Sequence, residues 1–172
     1  MSTTPTLNGQ VIGQAHYATR ALLERAVAPL GLTFGQVLAL NVLADGAVER
    51  TRIVHRITST LKIDESVVHE VIAHLVEADL ARVDDGLARV DAGPSTGADG
   101  LARVDAGPST GADARMRLTD TGHATQRRVS AAVADITARL YGDIPADEAS
   151  VAARVLTLVT QRANADLAAT PA

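Results

Sequence analysis

The stretch His69-Glu70-Val71-Ile72-Ala73-His74 holds two imidazoles and a carboxylate, the side chains of a zinc-hydrolase helix. That chemistry needs its histidines four residues apart, so that both reach one metal ion from one face. Here the spacing is five, which turns the second ring by roughly 140° from the first. One zinc ion does not take both from a single helix, so no metal is expected. Gly93-Pro94-Ser95-Thr96-Gly97 is glycine-rich, but it lacks the Gly-Lys-Ser/Thr that grips phosphate and magnesium in a P-loop. It reads as a turn. The chain has no cysteine, which removes disulfides, thiolate zinc sites and cysteine nucleophiles together. No catalytic residue and no cofactor motif is expected.

What remains are polar sets suited to binding. Ser66, His69, Glu70, Ala73 and His74 lie away from the apolar stripe Val68, Val71, Ile72, Leu75 and Val76 of one amphipathic segment. Arg52 and Arg56 stand one turn apart on the segment before it, and Arg115 and Arg117 alternate along a later one. Arginine suits phosphate because its donors form a fixed fork. On the first helix, His16, Tyr17 and Arg20 form a polar cluster beside an apolar stripe. Each set alone is equally a solvated surface, and the first-helix cluster is equally a subunit interface.

The elements that position these residues follow from periodicity. Residues 11–30 read as a helix through Val11, Ala15, Leu22, Ala26 and Leu30, closed by Pro29 and Gly31. Thr33 caps a shorter helix to Leu43, ended by Asp45-Gly46; a third helix covers 52–61. After the break at Lys62-Ile63, Asp64 is the N-cap of a fourth helix reaching Ala78. The helical period then lapses. Residues 86–99 recur without change as 100–113, and LARVD begins at Leu80, Leu87 and Leu101. Asp85-Gly86 is a favoured hairpin turn, so this region reads as a short β-meander. Helix returns over 119–141 with Val129, Val133, Ile136 and Leu140, and again over 147–167 with Val151, Val155, Leu158, Val159 and Ala163.

A net charge of −4 on 172 residues looks wrong for a binder of phosphates. Its distribution removes the objection. Asp84, Asp85, Asp91, Asp99, Asp105 and Asp113, set against Arg89 and Arg103, account for the whole of it. The rest is formally neutral, with basic clusters at Arg50, Arg52, Arg56 and Lys62 and at Arg115, Arg117, Arg127 and Arg128. The core must be aliphatic, since Phe34, Tyr17 and Tyr141 are the only aromatic residues. The polar, uncharged start lacks a signal core, and no apolar run approaches a membrane span. A cytoplasmic protein with no membrane partner is expected.

Two segments carry a family resemblance. Residues 64–81, DESVVHEVIAHLVEADLA, are similar to the recognition helix and the start of the wing in the MarR (multiple antibiotic resistance regulator) family. Residues 113–122, DARMRLTDTG, resemble that wing's Asp-x-Arg tip, its return strand and the Leu-Thr-x-x-Gly opening of the next helix. Together with helix order the likeness covers about 9–167. Val67 stands where threonine is common, Glu70 where arginine is common, and Asp79 where the turn glycine is usual.

The resemblance implies a mainly α fold with a small β-wing: a winged helix-turn-helix lobe at 33–119 with a duplicated wing insert at 86–113, between long dimerisation helices at 9–30 and 121–169. It implies a homodimeric, sequence-specific regulator, a repressor of a palindromic operator. Its two recognition helices enter successive major grooves about 34–36 Å apart. The DNA contacts it implies are Arg52, Arg56, Ser66, Val67, His69, Glu70, His74, Arg115 and Arg117. His16, Tyr17 and Arg20 would hold a small anionic or aromatic effector that releases the DNA. Two rivals stand beside this reading. An enzyme such as a methyltransferase with a winged dimerising part needs a cofactor-binding βαβ unit, for which no segment remains. A protein-interaction module with a degenerate winged helix is kept open by Glu70, the acidic wing and the net charge.

Overall fold

The computed structural model describes residues 6–84 and 114–169. The chain divides into two compact units, residues 1–133 and 134–172. The first begins with α1 (Gly9–Val27), capped by Asn8, whose side chain accepts from the Val11 N–H at 3.0 Å. A single 3-10 turn (Ala28–Leu30) ends at Gly31 with φ of 68°. Then α2 (Phe34–Leu43) opens on a reciprocal cap. The Thr33 hydroxyl accepts from the Gln36 N–H at 3.3 Å, and the Gln36 side chain accepts from the Thr33 N–H at 2.7 Å. Two orphan donors of the helix start are thereby satisfied.

A two-residue strand, β1 (Val48–Glu49), leads into α3 (Arg50–Leu61). Lys62, at φ 55°, turns the chain into α4 (Glu65–Glu77). Asp64 takes the N-cap position expected of it, but its side chain makes no capping bond. Strands β2 (Ala81–Asp84) and β3 (Arg115–Leu118) pair antiparallel, with Ala81 opposite Leu118 and Asp84 opposite Arg115. β1 joins the other edge of β3, giving the order β1-β3-β2. The first LARVD copy is thus paired with the return strand. The expected Asp85-Gly86 turn, the other two copies and the insert at 86–113 lie outside the described residues. Their attachment is clear: the chain leaves the sheet at Asp84 and rejoins it at the facing residue, Arg115.

Last comes α5 (Asp120–Tyr141), which runs past the boundary between the units. Val27, Val37, Leu40, Leu43, Ile53, Ile57, Val68, Leu75, Met116 and Val129 are almost wholly buried and form the centre of one cluster. It is aliphatic, as the composition requires, and α4 packs within it against α2 and α3. On α4 the buried stripe is Val68, Ile72 and Leu75, with Val71 half-buried. Val76, expected on that stripe, is instead 44% exposed. A helix wedged between two neighbours buries a narrower arc than its apolar pattern offers.

The joint between wing and α5 explains the Leu-Thr-x-x-Gly run. Leu118 is buried, and the Thr119 hydroxyl accepts from the Gly122 N–H at 2.9 Å while donating to the Asp79 carbonyl at 2.5 Å. The Thr119 N–H donates to the Leu80 carbonyl at 3.2 Å. A Cβ on Gly122 would stand 1.9 Å from that same oxygen. Asp79 itself has φ of 53°, a left-handed conformation that glycine takes freely and aspartate tolerates better than most residues.

The second unit holds the end of α5 and α6 (Ala146–Ala169). No residue of α6 is buried, and Val151, Leu156, Leu158, Val159 and Leu167 are each 40% exposed or more. Among the described residues no single helix is long and apolar enough to cross a membrane.

Candidate nucleic-acid interface and the pocket beside it

At about 100° per residue, α4 divides into three sides. The buried stripe is one. On a second side stand Ser66, His69 and Ala73, all exposed. On α3, Arg52, His55 and Arg56 are exposed, opposite that helix's buried Ile53, Val54 and Ile57. The apolar side of α3 anchors it, so its charged side faces out.

His69 has a partner that was not among the sequence-derived site residues. One terminal nitrogen of the Arg50 guanidinium lies 3.5 Å from His69 Nδ1. A guanidinium has no acceptor, so this contact is a hydrogen bond only in the tautomer whose Nδ1 accepts and whose Nε2 carries the proton. Arg50 is held at its backbone, where its N–H donates to the Ala114 carbonyl at 2.9 Å. Its Nε is shielded from solvent and has no hydrogen-bond partner among the described residues. In sequence Arg50 was only one member of a basic cluster.

The wing has an apolar and a charged face, as alternation requires. Ala81, Met116 and Leu118 are buried; Arg82, Arg115 and Arg117 are exposed. Arg115 and Arg117 do share one face, but both have partners within the chain. Arg115 donates to the Ala47 carbonyl at 2.8 Å, and Arg117 lies 3.3 Å from an Asp84 carboxylate oxygen. Arg82 was not singled out from sequence. Pairing sets it directly opposite Arg117, and like charges across a ladder repel unless an anion lies between them. Its signal was its place in LARVD, legible once β2 was known to pair with β3.

The third side of α4 carries Val67, Glu70, Val71 and His74. These residues wall a cavity of about 370 Å³ with Arg20 of α1, Thr33, Phe34, Gly35 and Gln36 at the start of α2, and Leu61 and Ile63 at the helix-turn-helix bend. Val67, Glu70 and His74, expected to contact DNA, thus also line this cavity. His69 and His74 stand on different sides of the helix, as their spacing requires. Of the expected effector cluster, Arg20 lines the cavity, with its guanidinium carbon 4.9 Å from the centre of the Phe34 ring and its Nε 2.8 Å from Glu24 Oε1. His16 and Tyr17 are not among the lining residues; they meet edge to face, ring centres 5.3 Å apart, and Tyr17 is 69% exposed.

No family model matches this sequence, and no curated protein does. Solved structures do. Apo MarR from E. coli is 16% identical, with a TM-score of 0.59 over 91% of this chain and 98% of that one. CouR from Rhodococcus jostii RHA1, bound to p-coumaroyl-CoA, is 16% identical, with a TM-score of 0.64 over 88% and 90%. A MarR-family protein of Mycobacterium tuberculosis in complex with salicylic acid is 18% identical, with a TM-score of 0.57 over 90% and 97%. The helix order, the small antiparallel wing and these similarities agree: the chain has the winged helix-turn-helix fold of the MarR-family regulators.

Proposed function

We propose that the protein is a MarR-family transcription regulator: a homodimeric, sequence-specific DNA-binding repressor, cytoplasmic, and released from its operator by a small-molecule effector. The observation that carries this is the outward side of α4, where Ser66, His69 and Ala73 stand exposed and His69 meets Arg50 at the start of α3. A helix so placed reads base edges while flanking arginines set its register on the phosphates. In this reading Arg52 and Arg56 contact the backbone, and Arg82, Arg115 and Arg117 follow the adjacent minor groove. With its proton on Nε2, His69 donates to acceptor edges such as guanine N7 or O6 and thymine O4. Val67, Glu70 and His74 meet DNA only at the rim of the helix and face the effector pocket. Among the structures similar in fold, one carries salicylic acid and another p-coumaroyl-CoA. Dimerisation is supported by α6, none of whose apolar residues is buried among the described residues. Most helical stability comes from packing an apolar face, and a second copy supplies one.

The test is selection of bound sites from random duplex DNA. A two-fold palindrome is the expected product. On that site, Arg52→Ala and Arg56→Ala weaken binding to all sequences and flatten the salt dependence by up to about one unit each, while His69→Ala changes the preferred base. Unselected DNA would sink the proposal. The other reading, a protein-interaction module, is favoured by the partners that Arg115 and Arg117 already have within the chain. It predicts no salt-dependent DNA binding at all.

A further inference from the structure

The pocket beside α4 contains five polar side chains, and their commitments differ. Thr33 and Gln36 are spent on each other in the α2 cap. Arg20 is held by the Glu24 carboxylate and lies over Phe34. Glu70 and His74 remain. They stand one turn apart on α4, and among the described residues neither has a hydrogen-bond or ion-pair partner. The other walls are Phe34, Leu61, Ile63, Val67 and Val71. A carboxylate accepts and does not donate, so the ligand must bring the proton. An anionic ligand would meet the like charge of Glu70, and the Arg20 guanidinium already spends its Nε on Glu24.

We infer that this pocket takes a small aromatic or otherwise apolar molecule bearing a protonated amine or amidine, with Glu70 as its counter-ion and the Leu61, Ile63, Val67 and Val71 side chains around its body. The inference rests on the proposed reading of the chain as an effector-responsive regulator and narrows the effector class. It also gives Glu70 a role: the carboxylate that stands where arginine is common in the family serves the ligand rather than the phosphates. Since Glu70 and His74 belong to the same helix as Ser66 and His69, a molecule seated on them acts on the recognition helix directly. Differential affinity for one placement of that helix is what shifts the population away from the DNA-competent state.

The experiment is calorimetric titration of the full-length protein with phenethylammonium chloride and, separately, with sodium salicylate, on the wild type and on Glu70→Gln. Glu70 is exposed and glutamine nearly matches its shape, so the variant folds. The expected result is saturable phenethylammonium binding, tighter than salicylate, weakened at least about tenfold by loss of the charged acceptor in Glu70→Gln. Tighter binding of salicylate, equal affinity of the amine for both proteins, or no saturable amine binding at millimolar concentration would each overturn the inference. Site selection on the unliganded wild type separates this from the regulator proposal. Recovery of a palindrome without amine binding refutes the pocket chemistry alone. Amine binding lost in Glu70→Gln, with no selected DNA, refutes the regulator and leaves the pocket chemistry standing.

Discussion

Replacing Gly122 by alanine sets two physical effects against each other with opposite signs. Gly122 lies in the first turn of α5, where helix propensity favours alanine over glycine by up to about 1 kcal/mol. The added Cβ, however, would stand 1.9 Å from the Leu80 carbonyl oxygen and 2.9 Å from its carbon. Cβ atoms essentially never come within 3.0 Å of such a neighbour, so α5 and Leu80 must separate by about an ångström or more. Both are held. Leu80 donates its N–H to the Leu75 carbonyl at 2.8 Å and accepts from Thr119 at 3.2 Å, and Ala81 is in register with Leu118. The displacement weakens the Thr119 bond, about 1 kcal/mol, and strains a packed joint, about 1–3 kcal/mol. The net loss is about 1–3 kcal/mol, or roughly a 2–12 °C fall in Tm for a chain of this size. Urea and thermal unfolding at one fixed protein concentration measure it, since any self-association makes stability depend on concentration. Gly35→Ala is the contrast. Its Cβ would meet the Val71 Cγ2 methyl at 3.2 Å, a side chain that can give, so stability should change by less than about 1 kcal/mol. A Gly122→Ala variant as stable as the wild type, or more so, would refute the close-approach argument and leave propensity the winner.

Three further outcomes follow from the same region. Asp79→Gly relieves a residue held at φ 53° and should raise the unfolding free energy by about 0.5 kcal/mol, read as a higher urea midpoint at constant m; a lower midpoint would show that the Asp79 side chain supports the turn. Thr119→Ala deletes both the acceptor for Gly122 and the donor to the Asp79 carbonyl, costing about 1–2 kcal/mol, whereas Thr119→Ser, which keeps the hydroxyl, should cost a small part of that. Deleting residues 86–99, one copy of the repeat, shortens a connection whose two ends already face each other in the sheet. Halving a loop changes its closure free energy by only about 0.6 kcal/mol, so Tm should hold within a few degrees and DNA affinity should be equal or slightly higher at low salt. A deletion variant that misfolds, or loses specific DNA binding tenfold, would make the duplicate structural.

Some of this protein was decided within single turns of the chain. Thr33 with Gln36 starts α2, and the break at Lys62-Ile63 separates α3 from α4. Val68, Ile72 and Leu75 bury one face of α4, and Thr119 opens α5. Those features depend on i→i+3 and i→i+4 geometry, which residue order carries directly. The helix order, the position of the wing and the aliphatic core were legible for that reason.

The rest depended on residues that meet across the chain, whose spacing in sequence carries no record of their distance in space. Val48-Glu49 is too short to declare itself a strand, and it becomes one only because Met116 and Arg115 lie alongside. Gly122 in sequence belongs to the Leu-Thr-x-x-Gly opening of a helix; only the carbonyl of Leu80 shows why a side chain is forbidden there. The polar side of α4 looked uniform, yet neighbouring helices divide it, turning His69 toward Arg50 and giving Glu70 and His74 to a cavity with Arg20. Helical periodicity tells which residues share a face; which neighbour that face meets is set by the packing of α1, α2 and α3 around it.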